Sequence, residues 1–152
     1  MFVNRKKIHV EWGDCDPAGI VYFPRYFAYF DNCTAALFAA AIMPKYDLLK
    51  LHNIAGFPLV DTRAKFFHPS RFGDVIEVES CVITWRNSSF DVRHRLYRGS
   101  VLAAECEETR VWAGRSSLDP EKIEARTVPD AVIAKMGGTR NSAERKAFAH
   151  RG

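Results

Sequence analysis

Two aspartates separated by one residue, Asp14 and Asp16, are the side chains of this chain best placed to do chemistry. They lie in a turn-rich stretch that runs into a long, nearly uncharged segment with Pro24 at its start. Proline suits the first position of a helix, because the N–H that it lacks would have no partner there. A carboxylate just before a helix N-terminus faces unpaired N–H groups and the positive end of the helix dipole. Such a place can hold an anion or polarise a carbonyl, although both aspartates could equally make turn hydrogen bonds.

The segment after the aspartates predicts a long helix over residues 24–43. Its only charges are Arg25 and Asp31, and most of the rest is aromatic, aliphatic or alanine. A helix that is apolar on nearly all sides is expected to be buried on most of them by a sheet. Its tyrosines and polar positions argue against a membrane span. A short second helix is predicted over residues 45–53.

Strands are predicted on both sides of this helical part. Residues 6–12 alternate between apolar and polar side chains, and the alternation returns in successive segments over residues 57–112. Residues 86–89 predict a hairpin turn, and His94 falls on the apolar face of the strand that follows, as a core histidine would. One helix followed by consecutive antiparallel strands is α+β, and a curled sheet around the helix satisfies both patterns.

Length and composition are those of one globular domain. The chain has 152 residues, of which 47% are hydrophobic, and a core can form from a chain of this size. No charged start precedes an apolar run, so we expect no signal peptide and a cytoplasmic protein. The four cysteines lack the spacing of metal ligands, which predicts reduced thiols, no disulfide and no structural metal.

The positive charge of the chain is concentrated at its C-terminus. Residues 137–152 hold four Arg and Lys side chains against Glu144 alone, which accounts for +3 of the net +4. The body is therefore close to neutral, which argues against a nucleic-acid-binding domain. We expect residues 1–136 to form the domain and residues 137–152 to be a basic, flexible tail. The tail could touch phosphates but is more simply a solvated terminus.

A resemblance to a known family is carried by segments 13–26, 72–76 and 85–90. The first segment reads Gly13-Asp14-Cys15-Asp16-Pro17-Ala18-Gly19-Ile20-Val21, followed by Phe23-Pro24 and Tyr26. It resembles the opening motif of the 4-hydroxybenzoyl-CoA thioesterase family. The resemblance implies the hotdog fold, in which a curled antiparallel sheet wraps around one long helix. It also implies that Asp16, the second of the paired aspartates, is the catalytic carboxylate.

The reaction that this resemblance implies is hydrolysis of an aryl-CoA thioester. The backbone N–H of Phe23 would polarise the thioester carbonyl at the helix N-terminus. Asp16 would attack that carbonyl to form an acyl-enzyme anhydride, or act as general base on water. Gly19 would allow close backbone approach to the substrate, or would simply turn the chain. Tyr22 would form a wall of the acyl pocket, and Asp31 would accept a hydrogen bond from a phenolic hydroxyl. Asp31 could equally be a structural carboxylate paired with backbone or with another subunit.

Coenzyme A would be part of the substrate, and no separate cofactor is expected. Arg86 and Ser89 match the family's Trp-Arg-x-x-Ser-Phe turn, which implies contacts with the pantetheine and nucleotide parts of CoA. The chain departs from the family in having Asn87-Ser88 within that turn, and Tyr22 where the 4-hydroxybenzoyl-specific pattern has Trp. The resemblance also implies a homo-oligomer, most simply a tetramer of two dimers with sites at the dimer interface.

Two other functions stay open at this point: a short- or medium-chain acyl-CoA thioesterase, and a hotdog protein that binds CoA or an acyl chain without turnover. An intact Asp16 favours an enzyme, because a pure binder has no use for a carboxylate facing a thioester. Retention of Asp31 favours a hydroxylated aromatic acyl group. Cys15 is a poor candidate nucleophile between two negative side chains. Glu77 and Glu79, on the polar face of a strand, are the reserve catalytic candidates.

Overall fold

A five-stranded antiparallel sheet and one long helix make up most of this protein, whose computed structural model describes residues 1–141. The elements in chain order are β1 (Val3–His9), a 3₁₀ turn (Trp12–Asp14), α1 (Phe23–Ala41), α2 (Lys45–His52), β2 (Leu59–Phe66), β3 (Val75–Trp85), β4 (Ser89–Arg98), β5 (Val101–Val111), β6 (Ala113–Arg115), β7 (Ile123–Ala125) and α3 (Asp130–Lys135). The main sheet has the strand order β1-β3-β4-β5-β2, and β6 pairs with β7 separately. β1 and β2 are therefore the two edges of the main sheet.

Helix α1 packs on the inner face of the main sheet. Its buried side chains recur every three or four residues and form one stripe, made of Tyr26, Tyr29, Phe30, Cys33, Thr34, Leu37 and Phe38. On β4 every second side chain faces this stripe, and Phe90, Val92, His94 and Leu96 are all fully buried. The predicted α+β fold, a curled antiparallel sheet around one long helix, is confirmed.

The core has two ends along this helix. At what we call the near end, Tyr26 and Phe30 of α1 pack with Ile76 and Leu96. At the far end, Leu37 and Phe38 pack with Trp85 and Phe90 of the β3–β4 hairpin, and side chains of α3 cover that cluster. The start of α1 and the β3–β4 hairpin thus lie at opposite ends of the domain, a separation that matters for the candidate site.

The sheet covers less of α1 than the sequence predicts. Ala28, Asp31, Asn32, Ala39 and Ala40 are exposed, because the open sheet packs against one side of the helix only. The low charge of that outer side, where Asp31 is the one acidic residue among those named, reflects small alanines, not burial. The prediction that a sheet buries most sides of this helix is therefore wrong for the single chain.

Other differences are local. The first strand ends at His9, whereas residues 6–12 were predicted, because residues 12–14 form a 3₁₀ turn closed by hydrogen bonds between Glu11 and Asp14. The short elements β6, β7 and α3 follow residue 112, where the sequence patterns predict no element. The helices α1 and α2 and the strands β2 to β5 lie where they were predicted, within a few residues.

Residues 137–141, the start of the predicted tail, lie against the far end of the domain. The Arg140 guanidinium donates hydrogen bonds to the carbonyl oxygens of Arg86, Asn87 and Val128, and the Asn141 N–H donates to Trp85 O. The rest of the predicted tail, residues 142–152, lies outside the described residues.

Taken singly, none of the helices within residues 1–141 is long and apolar enough to cross a bilayer. The pair α1 and α2 meets this criterion by length and composition alone, with a bend of 70° at the break between them.

Candidate active site

The loop that carries the two aspartates is closed by its own backbone. Asp16 N–H donates to Ile20 O and Gly19 N–H donates to Asp16 O, both at 2.9 Å. Gly19 has φ +79°, a left-handed conformation in which a side chain would be strained. The half-buried Asp16 carboxylate accepts a hydrogen bond from Ala18 N–H at 2.8 Å. Within residues 1–141 this is its only hydrogen bond, so most of its acceptor capacity is unused.

Asp14 is held quite differently from Asp16. Its Oδ2 accepts hydrogen bonds from Glu11 N–H at 3.0 Å and from the Tyr29 hydroxyl at 2.7 Å, and its carbonyl oxygen accepts from Tyr22 N–H at 2.8 Å. Burial, and then the bond to the Asp14 carboxylate, raise the pKa of Tyr29 above its usual range. The turn-forming interpretation therefore suits Asp14, and Asp16 is the aspartate left available.

The start of α1 offers a backbone donor beside this loop. Phe23 is the first helical residue and Pro24 the second, and Tyr22 precedes them without a side-chain cap. Within the described residues the Phe23 N–H donates to no acceptor. Because Tyr22 is bonded to Asp14, this free N–H and the Asp16 carboxylate belong to one short, hydrogen-bonded loop–helix junction. A free N–H at a helix N-terminus can stabilise negative charge on a carbonyl oxygen.

An apolar cavity of about 350 Å³ opens at this junction. Its lining residues are Ile20, Val21, Phe23, Tyr26, Phe66, Phe67, His68 and Pro69. The end of β2 brings Phe66 against Tyr26, with ring centroids 4.9 Å apart. Residues 66–69 carry no motif and are far from the aspartates in sequence, so sequence reasoning did not assign them to the site. An aromatic lining of this kind suits an aryl or alkyl acyl group.

Asp31 lies in a different cavity. It is eight residues beyond Phe23 on the same helix, which is about 12 Å along the axis. Asp31 Oδ1 accepts a hydrogen bond from Arg110 Nη2 at 2.9 Å, and the Asp31 side chain is 60% exposed. The cavity of about 360 Å³ around this pair is lined by Asp31, Lys45, Ala55, Gly56, Phe57, Pro58, Leu59, Arg110 and Ile123. Asp31 is thus paired with a side chain, Arg110, that no sequence pattern pointed to.

Arg110 connects Asp31 to a buried polar cluster. Its Nε donates to Glu108 Oε2 at 2.8 Å, and the Thr34 hydroxyl donates to the same oxygen at 3.0 Å. His94 lies beside Thr34 and Glu108 through Nε2, and its Nδ1 is 2.7 Å from the Ser80 hydroxyl. Burial alone would raise the pKa of Glu108, but hydrogen bonds from His94 and Arg110 outweigh it and lower the pKa to about 2. The position of His94 agrees with the interpretation of a core histidine.

Arg86 and Ser89 lie at the far end of the domain. The Arg86 guanidinium donates to both carboxylate oxygens of Asp91, at 2.8 and 2.6 Å. Since β3 has 11 residues, roughly 30 Å of strand separates this hairpin from the near end. Within one chain, the structure therefore brings Asp16, Gly19, Tyr22 and Phe23 together but leaves Asp31, Arg86 and Ser89 apart from them. The predicted CoA contacts stay predictions.

The other candidate side chains lie away from the junction or, like Cys15, are hydrogen-bonded within it. Glu79 pairs with Arg5 at 2.9 Å on the outer face of the sheet, and Glu77 points to the same face by strand alternation. The Cys15 thiol is 3.7 Å from Glu11 O, its hydrogen-bond acceptor. Among residues 1–141 no group of His, Cys, Asp and Glu side chains is arranged to hold a metal ion.

Comparison with known proteins adds four findings to this geometry. Residues 10–136 match the thioesterase-like superfamily. A 4-hydroxybenzoyl-CoA thioesterase of Pseudomonas sp. (strain CBS-3) is 36% identical over 130 residues, covering 82% of this chain and 90% of the relative. The solved structure of the Pseudomonas enzyme superposes with a TM-score of 0.81 at 30% identity, covering 88% of this chain and 98% of that chain. A gentisyl-coenzyme A thioesterase superposes with a TM-score of 0.75 at 26% identity, covering 85% of this chain and 98% of its own.

Proposed function

The chain belongs to the thioesterase-like superfamily and is a thioester hydrolase, and on this basis we propose that it hydrolyses an aryl-CoA thioester to the free acid and CoA. One observation carries the proposal: the loop–helix junction at which the under-used Asp16 carboxylate, the free Phe23 N–H and an aromatic-lined cavity occur together. The aryl-CoA substrates of the Pseudomonas and gentisyl-CoA enzymes support the aromatic acyl group.

The chemistry follows from the charge that develops at the thioester. The carbonyl oxygen accepts a hydrogen bond from Phe23 N–H, and the positive end of the α1 dipole stabilises the oxyanion. Asp16 either attacks the carbonyl carbon, expelling the CoA thiolate and leaving an anhydride for water to hydrolyse, or removes a proton from the attacking water. The Gly19 turn lets backbone approach the thioester. The exposed Tyr22 ring is not among the residues that line the cavity, but it packs edge-on against the Phe23 ring, which does line it.

The remaining predicted contacts require a second copy of the chain in this proposal. A 4-hydroxybenzoyl group extends only about 6 Å from its carbonyl carbon to its ring hydroxyl, whereas Asp31 lies about 12 Å along the helix from Phe23. We therefore propose a homo-oligomer in which Asp31, Arg86 and Ser89 of one protomer complete the site of another. Exposed aromatic side chains around the near end support it, namely Trp12, Tyr22, Phe23, Phe66, Phe67 and Phe72. Light scattering after gel filtration should give a dimer or tetramer, and a monomer would contradict this part of the proposal.

The test of the function is steady-state hydrolysis of an acyl-CoA panel by the wild type and Asp16→Asn. The panel contains 4-hydroxybenzoyl, benzoyl, phenylacetyl, acetyl and hexanoyl esters, and the control variant is Asp47→Asn, a charge removed from an exposed position on α2. We expect preference for aryl esters, a loss of ~10²-fold or more in kcat for Asp16→Asn, and wild-type kinetics for the control. Preference for acetyl or hexanoyl esters would indicate the aliphatic thioesterase instead. CoA binding without turnover of any ester would contradict the enzyme.

A further inference from the structure

A part-buried side-chain hydrogen bond joins the loop of Asp16 to helix α1. Tyr29, two turns into the helix and 7% exposed, donates its hydroxyl to Asp14 Oδ2 at 2.7 Å. Its ring packs edge-on against Tyr26, with centroids 6.1 Å apart. The hydroxyl is therefore aimed at the loop by a ring that is itself held in the core.

Asp14 connects this hydrogen bond to the rest of the loop. Its carbonyl oxygen accepts from Tyr22 N–H, which closes the loop, while its carboxylate also accepts from Glu11 N–H. Asp16 lies inside the closed loop, and Phe23 N–H lies immediately after it. The covalent path from loop to helix passes through Tyr22, whose two backbone dihedrals would otherwise let the loop pivot on the helix. The Tyr29–Asp14 bond is a second, non-covalent connection that restricts the pivot.

We propose that Tyr29 is a positioning residue for thioester hydrolysis: through Asp14 it holds the Asp16 carboxylate in register with the Phe23 N–H. The inference rests on the proposed function, because it concerns the geometry of the attacking carboxylate relative to the oxyanion donor. A small misplacement of reacting groups lowers the rate of the chemical step while leaving substrate binding largely intact. The role also accounts for the pairing of aspartates in the motif, since Asp14 orients the loop on which Asp16 reacts.

The distinguishing experiment separates positioning from folding by using two variants that each remove one buried hydroxyl. Tyr29→Phe removes the bond to Asp14, and Ser80→Ala removes the 2.7 Å bond to His94 within the sheet. Both variants should lower the melting temperature by a few degrees. Only Tyr29→Phe should lower kcat, by about tenfold with KM changed less than about twofold. Equal kcat values for Tyr29→Phe and Ser80→Ala would overturn the inference.

A double-mutant cycle supplies the second measurement. If Tyr29 acts through Asp14, adding Tyr29→Phe to Asp14→Ala should lower kcat no further than Asp14→Ala does alone. Independent, multiplicative losses would overturn the inference. Retained hydrolysis that depends on Asp16, together with a normal Tyr29→Phe, would overturn the positioning role and leave the proposed function standing. A wild type that is inactive on the whole ester panel would overturn both.

Discussion

Asp16 and Glu108 are two carboxylates near helix α1 that differ in burial and in the number of hydrogen bonds they accept. Asp16 is half-buried at the near end and accepts, within the described residues, one hydrogen bond from its own loop. Glu108 is 3% exposed beneath the middle of the helix and accepts from Thr34 and Arg110 beside His94. The Asp16 carboxylate can still accept hydrogen bonds from a substrate, whereas the Glu108 carboxylate is hydrogen-bonded to protein donors in place of water.

The contrast shows how the two kinds of carboxylate can be separated in a structure. A buried carboxylate whose acceptor sites are all hydrogen-bonded contributes to stability as long as each partner is present. Removing one partner leaves the remaining buried polar groups without a hydrogen bond, which is destabilising. A carboxylate with unused acceptor capacity contributes little to the fold and can change its bonding during a reaction. Activity and stability should therefore respond in opposite ways at Asp16 and Glu108.

The largest expected effect on stability is at Glu108. Glu108→Gln removes the charge that compensates Arg110 inside the protein, and we expect it to lower the free energy of unfolding by about 3 kcal/mol or more. Asp16→Asn, the matched change of carboxylate to amide, should alter it by less than about 0.5 kcal/mol. Urea unfolding followed by circular dichroism measures both. A comparable loss of stability in the two variants would contradict the proposed difference between Asp16 and Glu108.

Acid should erase the contribution of Glu108. Its folded-state pKa of about 2 is below its ordinary value of 4.5, so the fold favours the ionised form. That stabilisation is complete above about pH 4.5 and is lost as the pH falls through 4.5 toward 2, with a total on the order of 3 kcal/mol. The difference in unfolding free energy between wild type and Glu108→Gln should accordingly shrink between pH 5 and pH 3. A difference that stays constant over this range would contradict the ion-pair account.

Sequence patterns predicted the parts of this fold that repeat locally. The alternation in β4 placed Phe90, Val92, His94 and Leu96 on one buried face, and the uncharged run after Pro24 located α1. β7 was not predicted, because its three residues are all exposed and carry no hydrophobic period. The sequence pattern also could not predict which side of α1 the sheet leaves exposed, because alanine occurs on both buried and exposed helix faces.

The candidate site likewise has a part that the sequence predicts and a part that it does not. Asp16 and Phe23 lie in one continuous motif, so their proximity follows from chain connectivity. The bond from Tyr29 to Asp14 spans 15 residues, and the bond from Arg110 to Asp31 joins the end of β5 to the outer side of α1. Such contacts depend on sheet register and on how the helix lies across the sheet, and neither is encoded in residue spacing. The cavity wall at residues 66–69 was missed for the same reason.

A smaller effect is expected at Gly19, which tests the near end without touching a carboxylate. Its φ of +79° is strained for any residue with a side chain, although within residues 1–141 no heavy atom beyond the two flanking residues lies within 4 Å of the place a Cβ would take. Gly19→Ala should therefore cost about 1–2 kcal/mol through backbone conformation alone. Gly13→Ala, in the same loop region without a positive φ, is the control and should cost less than about 1 kcal/mol. Thermal unfolding of both variants decides the point, and equal losses would show that backbone strain is not the cause.

A small effect on stability is expected at Asp31, a carboxylate that is paired more fully than Asp16 and less fully than Glu108. Its ion pair with Arg110 is exposed on the aspartate side, and Arg110 keeps Glu108 and the Phe57 carbonyl when Asp31 is replaced. Asp31→Asn should therefore lower the free energy of unfolding by no more than about 1 kcal/mol. If Asp31 also receives a ring hydroxyl, the variant should raise KM for 4-hydroxybenzoyl-CoA and leave KM for benzoyl-CoA unchanged, because only the first ester has a hydroxyl to lose. Equal changes for both esters would place Asp31 with Glu108 as a structural carboxylate, since loss of a structural contact does not discriminate between substrates.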